Sequence, residues 1–340
     1  MPAGKQLFQR YEGNPILMAG HWPYTVNAVF NPGAVEIEGE TLLLVRVEDR
    51  SGISHLSVAR SKDGYTNWVI DSEGSHQMLP GHFGEAWGLE DPRITRCGDE
   101  YMVVYTGYSR GGPLVCLAET QDFCTFQRRG ILMPPDDKNA ALFPCQFNGR
   151  WALLHRPSSN MGVAGSHIWL SWSPDLRHWG DHMVLLHARQ GGWWDANKIG
   201  LGPPPLLTDY GWLILYHGVR VTAAGSIYRL GLALLDRDDP SLVIMRSSEW
   251  VFGPEAEYER SGDVADVVFA CGWILEDDGH TIRLYYGAAD TSVCVATGDL
   301  EEIISYLHRH CICGNRHGLG ECCPVAAREP MSYGPVNNSV

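Results

Sequence analysis

The sequence predicts an all-β chain folded as a five-bladed β-propeller with a C-terminal helix, and three observations predict it. First, one phrase occurs five times, a turn followed by four or five mostly apolar residues and then a polar or aromatic one: Thr41 to Arg46, Tyr101 to Tyr105, Trp151 to Arg156, Trp212 to His217 and Thr281 to Tyr286. Second, a hydroxyl residue, an Asp two positions on and an aromatic four or five further follow three of these copies: Ser61/Asp63/Trp68, Thr120/Asp122/Phe126 and Ser173/Asp175/Trp179, with Leu235 to Asp238 as a looser version. Third, the copies recur at roughly 50 to 70 residues, the spacing of four-stranded blades with loop insertions. A β-sandwich of similar strands is the alternative.

In chain order, each apolar run is preceded by a glycine turn: Glu38-Gly39-Glu40, Gly98-Asp99-Glu100, Asn148-Gly149-Arg150, Asp209-Tyr210-Gly211 and Asp277-Asp278-Gly279. A chance apolar run would not bring both its turn and its Asp-containing follower with it. Twelve Trp, fourteen Tyr and thirty-eight Gly with little helical periodicity agree with short strands and tight turns. The stretch Asp299 to Leu307 has acids in its first turn and an apolar 3/4 spacing, which predicts the one helix. Residues 1–307 are therefore assigned to the propeller. Residues 308–340 lose the periodicity, hold Cys311, Cys313, Cys322, Cys323 and three His, and read as a flexible tail; Cys-x-Cys followed by Cys-Cys is not a standard zinc spacing, so no metal is assigned.

Composition narrows the partners. A net charge of −14 argues against nucleic acid or an anionic membrane, and makes a local cluster of cations more informative. No apolar run approaches membrane-spanning length, and Lys5, Gln6, Gln9 and Arg10 stand where a signal peptide would be apolar, so the expected location is cytoplasmic. Six cysteines scattered singly through strand-like segments, Cys97, Cys116, Cys124, Cys145, Cys271 and Cys294, suit free thiols in a reducing compartment. Whether the chain forms a homo-oligomer is left open.

In a propeller the inner strands surround a channel, and the residues ending the repeated runs are expected to converge there: Arg46, Tyr105, His155 with Arg156, His217, and Ala288-Ala289-Asp290. The hexamer Gly88-Leu89-Glu90-Asp91-Pro92-Arg93 reads as a loop entering a strand, with Pro92 holding Asp91 extended. Asp91 is then a catalytic acid or one half of a structural ion pair with Arg93. Lys198, in a loop rich in Gly and Pro after two Trp, and Arg156, at the end of a core strand, are cations that must be paired or used; a solvated surface role is the alternative for Lys198. One acid facing several fixed cations suits a sugar substrate attacked by an inorganic anion. A hydrolase would need a second acid to activate water, for which Glu48, Glu90 and Asp290 are candidates. A non-catalytic sugar-binding propeller would have no use for the cations.

Asn31-Pro32-Gly33, Leu44 to Arg50, Gly88 to Arg93, Leu154 to Pro157, Lys198-Ile199-Gly200, Leu215 to Gly218 and Tyr285 to Asp290 resemble, in order, the motifs of glycoside hydrolase family 130, the β-mannoside phosphorylases. The resemblance implies a five-bladed propeller. It implies that Asp91 is the general acid, acting directly or through a sugar hydroxyl, and that Arg156, Lys198, His217 and Tyr228 hold phosphate. By the same resemblance Asn31, Arg46, Glu90 and Asp290 hold the mannose. Phosphate is a co-substrate, no metal or organic cofactor is implied, and attack from the opposite face gives α-mannose 1-phosphate and a shortened sugar. The residues Arg46 to Arg50 and Ser54 to Gly64 favour β-1,2-linked mannooligosaccharides. A β-1,4-mannooligosaccharide or mannosyl-glucose phosphorylase, or a β-mannosidase of the same fold, is the alternative.

Overall fold

The glycine turns and apolar runs become antiparallel four-stranded sheets arranged in a ring. The structure, a computed structural model, describes residues 4–71, 77–158, 165–223 and 225–313. Blade one consists of Ala28–Ile37, Glu40–Glu48, Ser54–Ser61 and Val69–Ile70; blade two of Gly88–Cys97, Glu100–Ser109, Gly112–Thr120 and Gln127–Met133. Blade three is Asp137–Phe147, Arg150–Pro157, Ile168–Ser173 and Gly180–Leu186. Blade four starts with Lys198–Leu201 and Leu206–Thr208, both on Gly211–Thr222, and goes on through Gly225–Leu235 to Val243–Ser247. In blade five Val268–Leu275, Thr281–Ala288 and Ser292–Asp299 are completed by Gln9–Arg10 from the other end of the sequence, paired as Gln9↔Thr297 and Arg10↔Ala296. The first strands of neighbouring blades lie side by side about the axis.

The repeated apolar phrase is the second strand of each blade. Its run is continuous, not alternating, because both faces of the sheet are covered by neighbouring blades. Leu42 and Leu44 pack with Tyr101 and Val103 of blade two, while Leu43 and Val45 pack with Tyr285 and Val295 of blade five; Leu42 to Val45 are all 0% exposed. Full burial of each such aliphatic side chain is worth about 1.5–3 kcal/mol.

The hydroxyl–x–Asp phrase is the turn that ends the third strand. The Asp63 carboxylate accepts from the amides of Tyr65 and Thr66, Asp122 from those of Cys124 and Thr125, and Asp175 from those of Arg177 and His178. Asp236 does the same with the amides of Asp238 and Asp239. A fifth copy, Thr297-Gly298-Asp299, is used differently: Asp299 accepts from the Glu302 amide at 2.7 Å and caps the helix Leu300–His310. That helix buries Leu300, Ile303, Ile304, Tyr306 and Leu307 against blades four and five. It runs three residues past the sequence expectation, and Cys311–Cys313 then pairs with Val243–Ser247 on the outer edge of blade four. The propeller thus extends past residue 307; Cys322 and Cys323 lie outside the described residues. Among the described residues no helix is long and apolar enough to cross a membrane.

The ring is locked where the chain's early strand meets blade five. Arg10 donates from Nε and Nη2 to the two oxygens of Glu259, each at 2.8 Å, and the Tyr286 hydroxyl donates to the same carboxylate at 2.7 Å.

Candidate active site

Three successive blades share one irregularity in their first strand. The pairing slips between Phe30 and Gly33, between Glu90 and Arg93, and between Lys138 and Ala141. In each slip a short polar residue takes left-handed backbone angles: Asn31 at φ 48°, Asp91 at φ 52° and Asn139 at φ 54°. Asn and Asp tolerate this region better than other residues with a Cβ, and Pro32 and Pro92 sit where a bulge needs no amide donor. Asp91 is therefore in a strand, at a bulge, and not on the loop expected from Pro92. All three side chains are buried.

The bulges bring their side chains together across blades. Asp91 Oδ1 accepts from Asn31 Nδ2 at 2.9 Å and from Arg46 Nη1 at 3.2 Å. Arg46 also donates from Nη2 to Glu90 Oε1 at 3.1 Å and from Nε to Ser54 Oγ at 2.9 Å, and lies over the Phe30 ring. Glu90 meets a second cation, Lys138, at 3.7 Å. Two glycines admit these groups: a Cβ on Gly287 would stand 2.0 Å from Asn31 Oδ1, and one on Gly200 would stand 2.5 Å from His217 Cε1 and 2.8 Å from Asn139 Nδ2.

Arg156 and Tyr228 lie within electrostatic reach of Asp91, and Lys198 and His217 adjoin Arg156. Lys198 Nζ sits 5.6 Å from the centre of the Tyr228 ring, on which His217 is stacked, and Phe269 closes the other side of His217. Burial, and then Arg156, Arg93, Lys198 and Lys138, push the His217 imidazole well below its ordinary range, so it is neutral. Burial followed by Arg156 lowers Lys198, and burial lowers Arg156 itself. Asn31 Oδ1, Asn139 Oδ1, Arg156 Nε and His217 Nδ1 are four of the eight buried side-chain polar atoms without a hydrogen-bond partner among the described residues. Buried polar atoms are ordinarily paired, so this concentration marks a place built to meet a polar ligand.

The two aspartates are shifted in opposite directions. Burial alone would raise the Asp91 carboxyl, but Arg46, Lys138 and Arg93, with the Asn31 hydrogen bond, outweigh it and hold the group below the ordinary carboxylate range. Asp290, also in a left-handed conformation, is pushed up to about 6 by burial and then by the charge of Asp91, with Arg46 opposing.

Several expectations need correction. Tyr105 and His155 do not face the channel. The Tyr105 hydroxyl donates to Glu85 at 2.5 Å, and His155 is bonded to Asp137 at 2.6 Å and Ser171 at 2.7 Å. The residues opposite Phe30, Glu90 and Lys138 in register are Arg46, Thr106 and Arg156, one place further along than Tyr105 and His155. Arg93 pairs with neither acid's carboxylate. It is 1% exposed and donates to the carbonyls of Asp91, Leu201 and Gly202, tying the Asp91 backbone to blade four. Asn139 and Lys138 join the site without a signal in the sequence. Lys138-Asn139-Ala140-Ala141 occupies the register of Glu90-Asp91-Pro92-Arg93, but without the proline it gave no signal.

A family model described as beta-1,4-mannooligosaccharide phosphorylase matches residues 6–309. The beta-1,2-mannobiose phosphorylase of Listeria innocua is 33% identical, over 88% of this chain and 98% of that protein. A 1,2-beta-oligomannan phosphorylase of Thermoanaerobacter sp. is 35% identical, over 87% of this chain and 98% of its own length. The solved structure of the Listeria innocua enzyme in complex with beta-1,2-mannobiose superposes with a TM-score of 0.82 at 32% identity, covering 89% of this chain and 99% of that one.

Proposed function

Because the chain belongs to glycoside hydrolase family 130, we propose that it is an inverting β-mannoside phosphorylase, cleaving β-linked mannooligosaccharides with inorganic phosphate to α-mannose 1-phosphate and a shortened sugar. One observation carries the reading: a carboxylate from blade two, Asp91, lies within electrostatic reach of the buried Arg156 of blade three, which is neighboured by the half-buried Lys198 of blade four, and among the described residues the Arg156 Nε has no hydrogen-bond partner.

In this mechanism Arg156 and Lys198 hold the phosphate by charge, with the neutral His217, Tyr228 and Asn139 orienting its oxygens. Asn31, Arg46, Glu90 and Asp290 hold the mannose. Asp91 gives its proton to the glycosidic oxygen, directly or through a sugar hydroxyl, while phosphate attacks the anomeric carbon from the other face. Asp91 is ionised in the free protein. A bound phosphate dianion opposes the cations that hold its pKa down, so the proton is acquired as the site fills. No step requires a metal or organic cofactor.

Hydrolysis would need a second ionised acid beside the anomeric carbon. Glu90 has its oxygens on Arg46 and Lys138 and Glu48 accepts from Asn27, which leaves Asp290 as the remaining candidate, and in this reading Asp290 holds the mannose. The β-1,2 linkage is favoured by the Arg46 to Arg50 wording and by the likeness to the two β-1,2 enzymes. Unpaired thiols such as Cys97, Cys116, Cys271 and Cys294 support a cytoplasmic setting. The roles are tested by kinetics of two variants. Lys198→Ala should raise the apparent KM for phosphate at least tenfold with sugar KM little changed, and Asp91→Asn should abolish turnover; an unchanged phosphate KM would place the anion elsewhere.

A further inference from the structure

Blade two carries an aromatic ledge beside its acid pair. In the pairing of its first two strands Glu90 is opposite Thr106 and Gly88 is opposite Tyr108. Alternation puts Tyr108 on the same face of the sheet as Glu90, one diagonal step nearer the mouth, about 7–8 Å away. Gly88 presents no side chain there because its φ is 123° and a Cβ would meet the Ser54 amide nitrogen at 2.6 Å. The Ser54 backbone fills that place, and the Tyr108 ring projects beyond it. The preceding residue, Trp87, donates its amide to the Tyr108 carbonyl at 2.8 Å and sets its ring edge-on to Tyr108, with centroids 5.5 Å apart.

Both rings are displayed to solvent: Trp87 is 47% and Tyr108 37% exposed. The turn under them is nonetheless rigidly built. Glu85, 0% exposed, accepts from the Tyr105 hydroxyl at 2.5 Å, from the Gly81 amide at 2.7 Å and from Arg128 at 3.1 Å. An exposed aromatic pair on so fixed a base presents a preorganised apolar surface, at little cost in side-chain entropy on binding.

Trp87 is four residues from Asp91, at most about 13 Å along an extended strand. A span of that size allows the aromatic pair to reach the second ring from the scissile bond. We propose that Trp87 and Tyr108 form a stacking platform for the second sugar ring on the acceptor side, so that the enzyme prefers mannooligosaccharides of three or more units to the disaccharide. The inference rests on the phosphorylase reading and assigns that site's chain-length preference.

The test compares kcat/KM on mannobiose and mannotriose, at saturating phosphate, for the wild type, Trp87→Ala, Tyr108→Ala and Trp87→Phe, with melting temperatures as the folding control. Trp87→Ala should lose about tenfold on the triose and less than about twofold on the biose, with most of the loss recovered in Trp87→Phe and the KM for phosphate unaltered. Equal losses on both sugars, or none on the triose, would overturn the platform while the phosphorylase reading stood. A wild type lacking phosphate-dependent activity on both sugars would overturn the two together.

Discussion

Asn31 and Asp91 occupy the same bulge position in adjacent blades, and the amide of one donates to the carboxylate of the other at 2.9 Å. The acid is thus aimed by a residue from a neighbouring sheet, and both are held by backbone conformations that few residues accept. Replacing Asn31 by Ala removes a donor that favours the charged form of Asp91, so the Asp91 pKa should rise. One hydrogen bond to a charged group contributes about 1.5–3 kcal/mol, so kcat/KM should fall about ten- to a hundredfold, with the alkaline limb of the pH profile, where the general acid loses its proton, moved upward. An unshifted limb would mean that Asn31 does not tune the acid.

Phosphate binding should be linked to proton uptake. Asp91 is held ionised chiefly by Arg46, Lys138 and Arg93 against its burial, and an arriving dianion reverses part of that balance. Titration calorimetry at pH 8 in two buffers of different ionisation enthalpy should register protons taken up on phosphate binding by the wild type and not by Asp91→Asn. Equal uptake by both proteins would assign the proton to another group.

Asp290 makes stability depend on pH with a definite sign. Its carboxyl is raised from 3.8 to about 6 in the folded protein, so the native state binds the proton more tightly than the unfolded chain does. That contribution is fully present below about pH 4 and is lost as the pH rises through about 6. Asp290→Asn removes the titration and should therefore be stabilised relative to wild type above pH 6, by on the order of 3 kcal/mol, with the difference vanishing near pH 4. Urea midpoints at pH 4.5 and 7.5 measure it; a difference independent of pH would refute the assignment.

The ring closure should be sensitive to Arg10. Glu259 has a fully buried side chain, and Arg10 supplies two of its hydrogen bonds. Arg10→Ala leaves that carboxylate buried without its cation and should cost about 3 kcal/mol of stability, while Tyr286→Phe, which keeps the ion pair, should cost about 1 kcal/mol. Similar losses for the two variants would show that the ion pair is not what fastens the early strand.

What was legible in the sequence, and what was not, follows from the physics of each feature. The second strands were visible because sheets packed on both faces demand unbroken apolar runs such as Leu42 to Val45, and the turns because Asp63, Asp122 and Asp175 cap them in one way. Asp91 stands out in the sequence, but Pro92 interrupts a strand pattern as readily when it marks a bulge as when it marks a loop. Tyr105 and His155 were misplaced by one residue, which in a strand of period two reverses the face. Asn139 had no proline to announce it. Arg93 could not be read because its partners are the carbonyls of Leu201 and Gly202, more than a hundred residues away in sequence and invisible to any local pattern.

The central claim is that a phosphate held by Arg156 and Lys198 replaces water as the nucleophile. Incubating the protein with β-1,2-mannobiose and with β-1,4-mannobiose, with and without inorganic phosphate, and following the products by phosphorus and proton NMR, tests it most directly. The account predicts α-mannose 1-phosphate formed only when phosphate is present, with the α configuration appearing from the first turnover. Free mannose released at the same rate without phosphate would contradict it.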